Sequence, residues 1–234
     1  MKKVLFAVLA LSMLTFSSCN GLNIRYSSTK AQGEVSRELK GFERIEQLGS
    51  LDVIYHQADS FSVRVSTPVD VIGDVETRVE GNKLIVKMKG EGNVINFGVS
   101  DSKNVTVYVT SPDFLGITLK GSGDFESNGL VDTDKLDIVL NGSGDIMFDD
   151  IICDQVHVSL VGSGDVALQN VKMLQSYVDL VGSGDIKMHF DNGGTVESNL
   201  TGSGDITLSG SVKDYHSNVR GSGDMNTELL NVSK

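Results

Sequence analysis

The sequence predicts an all-β protein whose C-terminal half is a parallel β-helix, a solenoid with one chain segment per coil. The tetrapeptide Gly-Ser-Gly-Asp occurs six times, beginning at Gly121, Gly142, Gly162, Gly182, Gly202 and Gly221. Successive copies lie 19 to 21 residues apart. Apolar and polar residues alternate on both sides of each copy, which is the pattern of short strands with one buried face.

Two apolar rows in these strands are predicted to form the core. One row directly follows each Asp: Phe125, Ile146, Val166, Ile186, Ile206 and Met225. The other precedes each first Gly by two positions: Leu119, Leu140, Leu160, Leu180, Leu200 and Val219. A unit of about 20 residues fits one coil of a β-helix, in which equivalent residues stack about 4.8 Å apart along the axis. Because connections between parallel strands are right-handed, we expect a right-handed helix.

Each Gly-Ser-Gly-Asp segment is predicted to form a corner of the coil. Glycine allows a positive φ or a close approach of the next coil, and the Asp side chain can accept backbone N–H groups. Six Asp residues should therefore stack in a row that either braces the corners or binds cations: Asp124, Asp145, Asp165, Asp185, Asp205 and Asp224. We expect bracing, with N–H donors lowering the carboxylate pKa, because one carboxylate per coil offers few ligands for Ca²⁺. No metal site or cofactor is predicted.

The N-terminal half has no such tetrapeptide but is also predicted to be β-structure, of a less regular kind. Alternating patterns predict strands over residues 51–55, 61–65, 84–88 and 105–109, with a turn at 81–83.

The first 37 residues read as an export signal followed by a tether. Residues 1–18 carry Lys2 and Lys3 before a short apolar run, which is typical of a signal peptide. Cys19 follows small residues, as in a bacterial lipobox, and is predicted to be lipidated. Residues 19–37 are polar and predicted to link the lipid to a domain spanning 38–234. The second cysteine, Cys153, leaves no disulfide partner and is predicted to be a small buried residue.

Charge is distributed unevenly along the chain. Residues 1–120 hold 14 Lys and Arg against 13 Asp and Glu, whereas residues 121–234 hold 6 against 18. An acidic repeat half argues against nucleic acid or an anionic membrane surface as a partner, because both require a basic footprint. The membrane contact that we expect is the lipid anchor alone.

An outward-facing row of polar and aromatic residues is the candidate binding face. It consists of Asp137, His157, Tyr177, Glu197 and His216, and it is called the outward row below. A flat sheet with such side chains suits glycan binding and equally suits an ordinary solvated surface. His157 and His216 would lie about 14 Å apart and could not share a metal ion.

These motifs together resemble the family of putative auto-transporter adhesins with a head GIN domain. The resemblance rests on the Gly-Ser-Gly-Asp coils and, before them, on Leu51-Asp52-Val53, Val63-Arg64-Val65 and the segment 82–86, and it covers about residues 38–226. It implies a right-handed β-helix in an exported lipoprotein with an adhesive or surface role, and it brings no catalytic residues.

The predicted function is therefore that of a non-enzymatic lipoprotein of the cell envelope, anchored in the outer membrane, that binds a glycan or a protein. A periplasmic structural or signalling-associated module is the alternative, and the uncharged segment 20–24 after Cys19 keeps both membrane faces open. A carbohydrate-active enzyme ranks third, because the uniform coils lack the loop insertions that build a cleft. Oligomers could form through the exposed ends of the β-helix.

Overall fold

A computed structural model describes residues 32–90 and 105–233 of the chain. The predicted signal peptide, Cys19 and most of the predicted tether lie outside the described residues. Within them the structure is all β, apart from one turn of 3-10 helix at Ile72–Asp74, and it forms a parallel solenoid of about 6 turns. The described residues include no helix with the length and apolar character needed to cross a membrane.

The repeat half forms the regular part of the solenoid. Each coil is one long strand that runs from the residue after the Asp to the next Gly, and only the Ser-Gly-Asp corner interrupts it. Neighbouring coils pair in parallel with equivalent residues aligned, for example Leu160 with Leu180. The strands are β9 (Phe125–Gly142), β10 (Ile146–Gly162), β11 (Val166–Gly182), β12 (Ile186–Gly202), β13 (Ile206–Gly221) and β14 (Met225–Val232).

The N-terminal half continues the same solenoid with shorter strands. These are β1 (Gln32–Arg37), β2 (Arg44–Gly49), β3 (Asp52–Gln57), β4 (Ser62–Pro68), β5 (Val75–Glu80), β6 (Lys83–Met88), β7 (Thr106–Ser111) and β8 (Gly116–Gly121). Strand β2 lies between β6 and β8, and β3 lies between β7 and β9, all in parallel. Antiparallel β4 and β1 add to β7 on one side, and β5 adds to β6 on the other. The four predicted strands are confirmed, as is the turn, in which Gly81 has φ +62° between β5 and β6.

Both predicted core rows face inward and are buried through most of the solenoid. Leu119, Leu140 and Leu160 are fully buried in one row, and the other row begins with Phe125 at 1 % exposure. Aromatic rings fill the junction of the two halves: the Tyr55 and Phe114 rings stack 4.1 Å apart, and Phe125 packs 5.5 Å from Phe148. The burial is lost in the last coil, where Val219 is 42 % exposed.

The predicted boundary between the tether and the folded domain, at residues 37 and 38, is wrong. Residues 32–37 were assigned to the tether, but they form β1, which pairs antiparallel with β4 over its whole length, from Gln32 with Pro68 to Arg37 with Val63. The segment has little apolar content because β1 is an edge strand with alternately exposed side chains. Backbone pairing rather than burial of side chains holds it in the sheet.

Candidate functional site

The corner Asp residues are linked by hydrogen bonds from coil to coil. The backbone N–H of each Asp donates to the side-chain Oδ1 of the Asp in the preceding coil, as Asp165 does to Asp145 at 3.0 Å and Asp185 to Asp165 at 2.9 Å. The same bond joins Asp145 to Asp124, Asp205 to Asp185 and Asp224 to Asp205. Each carboxylate thus satisfies a backbone donor that the corner removes from the regular ladder.

A seventh member at the base of this row was missed in the sequence. The Asp124 N–H donates to Asp52 Oδ1 at 3.0 Å, and Gly49 of β2 pairs with Gly121 of β8. The segment Gly49-Ser50-Leu51-Asp52 is therefore a corner of the same kind, with Leu51 in place of the second glycine. The shared Gly-Ser-x-Asp pattern was the available signal. We call the seven residues the corner ladder: Asp52, Asp124, Asp145, Asp165, Asp185, Asp205 and Asp224.

Both glycines of each corner lie against the backbone of the preceding coil, and the first is constrained by its φ as well. The first has a positive φ, as in Gly162 at +143°, a backbone conformation that side chains disfavour. The second lies directly against the preceding coil: a Cβ added to Gly164 would sit 1.9 Å from the Gly144 carbonyl oxygen. In the last corner of the regular repeat the same contact joins Gly223 to Gly204. Close stacking of the coils therefore depends on the absence of a side chain at the second position.

The expected lowering of the carboxylate pKa is wrong at Asp145, and Asp52, which was not part of that prediction, also has a raised pKa. The pKa of Asp145 is raised, first by desolvation and then by the charges of Asp124 and Asp165, although the N–H of Asp165 acts in the opposite direction. The pKa of Asp52 is also raised, again first by desolvation. Removal from water and mutual repulsion thus outweigh the single backbone donor that each carboxylate receives.

The corner ladder offers little to a cation. One oxygen of each ladder carboxylate, from Asp52 to Asp205, accepts a backbone N–H, and the other oxygen belongs to a row with one carboxylate per coil. In the part of the chain that the structure describes, no cluster of three or more His, Cys, Asp or Glu side chains could hold a metal ion. A Ca²⁺ ion takes six to eight oxygen ligands, whereas each coil contributes one carboxylate to the corner ladder.

The outward row lies on a flat parallel sheet formed by the last residues of β9 to β13. Pairing aligns Asp137 with His157, His157 with Tyr177, Tyr177 with Glu197, and Glu197 with His216. The Tyr177 ring is 39 % exposed. Three strand spacings separate His157 from His216, so the two imidazoles lie about 14 Å apart.

Polar contacts hold several side chains of this face in place. His157 Nε2 lies 3.4 Å from Asp179 Oδ2, and Asn199 donates to Asp179 Oδ1 at 2.8 Å. At the lower end, Arg44 donates to Asp137 at 2.8 Å. The exposed Tyr177 ring thus stands beside a fixed His157–Asp179–Asn199 group, and the face combines an aromatic surface with oriented polar atoms.

Cys153 and His189 carry the kinds of group that covalent chemistry uses. Cys153 is buried as predicted, and burial raises the pKa of its thiol to about 12, so it stays protonated and unreactive. The His189 Nδ1 lies 3.0 Å from the Ser209 hydroxyl oxygen. Among the described residues no carboxylate hydrogen bonds to His189, so the pair lacks the group that orients a catalytic histidine.

A regular β-solenoid with hydrogen-bonded Asp corners and an outward row of polar side chains defines the class of protein, which is a repeat scaffold of parallel coils. The family model described as putative auto-transporter adhesin, head GIN domain, matches residues 41–170 and 165–234. The chain belongs to this family, as its motifs suggested. None of the curated proteins compared with the chain matches it.

Solved structures share the fold at low sequence identity. A putative adhesin from Bacteroides fragilis is 21 % identical with a TM-score of 0.67, over 85 % of this chain and 97 % of that one. A putative adhesin from Parabacteroides merdae is 14 % identical with a TM-score of 0.60, over 85 % and 96 %. A putative lipid binding protein from Parabacteroides distasonis is 19 % identical with a TM-score of 0.54, over 85 % and 97 %.

Proposed function

We propose that this protein is a non-enzymatic binding and adhesion scaffold of the cell envelope that contacts glycans through the outward row. The observation that carries the proposal is the exposed Tyr177 ring beside the fixed His157–Asp179–Asn199 group. Membership of a family named for adhesins supports a surface-binding role.

The chemistry of this face suits a carbohydrate. An exposed aromatic ring can stack against the apolar side of a sugar, because such a ring combines a large contact area with a polar edge. Asp179 and Asn199 present oxygen and nitrogen atoms to hydroxyl groups, and their mutual hydrogen bond limits the entropy lost on binding. A rigid parallel sheet keeps the spacing of these groups constant from coil to coil.

Replacement of Tyr177 tests the proposal. On a glycan array, we expect the wild-type chain to bind a subset of glycans, and Tyr177→Ala to lower that signal at least about tenfold, as loss of a stacking contact predicts. The matched control is Leu174→Ala, because Leu174 is exposed to 60 % on the same coil but lies off the outward row. Equal losses in both variants, or no binding by the wild type, would reject the glycan assignment and favour a structural role in the periplasm.

The proposed anchor is the lipidated Cys19. Cys19→Ala should abolish incorporation of a labelled fatty acid and release the protein from the membrane fraction, since no other predicted membrane contact remains. Cys153→Ala is the control, because this buried thiol should not accept a lipid. Labelling that persists in Cys19→Ala would contradict the lipoprotein prediction. Protease treatment of intact cells then distinguishes the two membrane faces, since only a surface protein is digested.

A further inference from the structure

A second surface, on the first strand segment of each coil, carries a small cleft of unusual charge. Its volume is about 210 Å³, and it is lined by Ala167, Gln169, Lys187, His189, Thr207 and Ser209, with buried Leu168 and Met188 behind them. The strand pairing places Ala167, Lys187 and Thr207 in one row across three coils, with His189 and Ser209 paired beside them. The outward row belongs to a different segment of the coil and contributes nothing to this cleft.

Small side chains border the cleft on both sides of Lys187, with Ala167 in the coil before it and Thr207 in the coil after it. Ala167 lies between Met147 of the coil before and Lys187 of the coil after. Adjacent side chains in such a row are about 4.8 Å apart, so a methyl group leaves a depression between two long neighbours. The floor of this depression is apolar, and the polar groups stand at its edge.

The lining differs in charge from two other clefts on the same solenoid. One of about 330 Å³ contains Lys172 together with Asp150 and Asp191, and one of about 430 Å³ contains Lys213 together with Asp154. The cleft at Ala167 has Lys187 and His189 and no carboxylate in its lining. In a half of the chain with 18 acidic and 6 basic residues, this combination makes a local site for a negative charge.

The hydrogen-bonding groups can be assigned to roles. The Ser209 hydroxyl lies 3.0 Å from His189 Nδ1 and donates to the Met188 carbonyl oxygen at 3.4 Å, so it is not counted among the donors to a ligand. The Gln169 amide nitrogen is directed at Asp149 Oδ1, 3.4 Å away, and is not counted among the donors to a ligand. Lys187 supplies the exposed positive charge, and the Thr207 hydroxyl lies next to it in the row.

We propose that this cleft binds a sugar acid, with its carboxylate at Lys187 and its ring over Ala167. The volume is below the usual range of drug-sized sites, about 300 to 1,000 Å³, so the ligand is a single residue such as a uronate or the terminal unit of an acidic glycan. The apolar floor accepts the face of a ring, which a simple inorganic anion would not use.

The test is a titration of the purified chain, followed through the backbone amide NMR signals of Gln169, Lys187 and Ser209. The probes are D-glucuronate, D-glucose, acetate and inorganic phosphate. We expect glucuronate to bind at least about tenfold more tightly than each of the others, because glucose lacks the charge that pairs with Lys187, and acetate and phosphate lack a ring that covers Ala167. Equal affinity for glucuronate and for acetate or phosphate would overturn the proposal in favour of a simple anion site. Equal affinity for glucuronate and glucose would also overturn it, because the ligand carboxylate would then contribute nothing to binding.

Three variants connect the binding to the cleft. Lys187→Gln should weaken glucuronate binding about tenfold, whereas Lys213→Gln, which removes the same charge from another cleft, should leave it unchanged. Ala167→Leu should abolish binding by filling the depression, and its melting temperature, measured in parallel, verifies that the coil is intact. Glucuronate affinity that survives in both Lys187→Gln and a folded Ala167→Leu would overturn the proposal. These outcomes are independent of Tyr177 and of the outward row.

Discussion

Gly164→Val is expected to destabilise the solenoid severely, by about 3 kcal/mol or more, as strong overpacking does. A Cβ at Gly164 would lie 1.9 Å from the Gly144 carbonyl oxygen, and the atoms in its way are backbone atoms that cannot rotate aside. Because the Ser163 and Gly164 N–H groups both donate to the Gly142 carbonyl, separating the two coils also breaks the hydrogen bonds of the corner. Gly184 has the same contact with Gly164 and should behave in the same way.

Ser159→Val is the matched control, since it adds the same side chain to an outward-facing position of the same coil. Valine is favoured in strands, so we expect a change within about 0.5 kcal/mol. The measurement is thermal unfolding followed by circular dichroism, in which 3 kcal/mol corresponds to a melting temperature lower by roughly 6 to 12 °C for a domain of this size. Similar melting temperatures for Gly164→Val and Ser159→Val would mean that the coils are not in contact at their corners.

The regular half of the fold was predictable because its information is local. Each corner has its own Gly-Ser-Gly-Asp, and each flanking strand alternates, so the period and the inward rows follow directly from the sequence. The tetrapeptide does not by itself show which of its two glycines has the positive φ. The positive φ belongs to the first glycine, whereas Gly164 and Gly184 are constrained by the contact with the coil before.

The N-terminal half was less predictable because its pairing is distant in sequence. The Asp52 side chain accepts a hydrogen bond from the N–H of Asp124, 72 positions away. The first corner is difficult to recognise in the sequence because Leu51 replaces the second glycine of the motif. Nothing local indicates that β2 lies between β6 and β8. Strand β1 was missed because an edge strand without a buried face has no apolar alternation to detect.

The candidate sites also differ in whether local sequence or contacts between coils determine them. The outward row followed from the coil period, and its alignment in the structure needs only the parallel register. The cleft at Ala167 was not predictable, because it depends on how much space the side chains of three neighbouring coils leave around Lys187. The contact of His189 with Ser209 joins two neighbouring coils. It becomes visible only when residues one period apart are paired on a row other than the outward row.

Replacement of Asp145 tests whether the charge of the corner ladder stabilises the protein. The pKa of Asp145 is raised in the folded chain, first by desolvation, so its protonated form is favoured by folding. An acid with a raised folded pKa contributes stability below its unfolded pKa, near 4, and loses it as the pH rises through the folded value. At pH 7 the charge is therefore a cost, whereas the hydrogen bond from Asp165 is a gain.

Asp145→Asn removes the charge and keeps the acceptor, so at pH 7 its melting temperature should equal or exceed that of the wild type. Its advantage should shrink as the pH falls through the raised folded pKa of Asp145 towards about 4, and should be absent below that pH. Asp145→Ala removes the acceptor as well and should lose about 0.5 to 1.5 kcal/mol relative to Asp145→Asn. Asp134→Asn, at an exposed position outside the ladder, controls for net charge.

Melting temperatures of the same variants in millimolar Ca²⁺ distinguish a corner ladder that braces the corners from one that binds cations. If the ladder only braces the corners, the melting temperatures of the wild type and of Asp145→Asn should be equally insensitive to Ca²⁺, because each carboxylate already uses one oxygen for the N–H of the next coil. A ligand that binds only the folded state raises stability in proportion to the logarithm of its concentration. A wild-type melting temperature that rises with Ca²⁺, while that of Asp145→Asn does not, would therefore assign the corner ladder to cation binding. The destabilising charge of Asp145 would then be explained as that of a cation ligand without its cation.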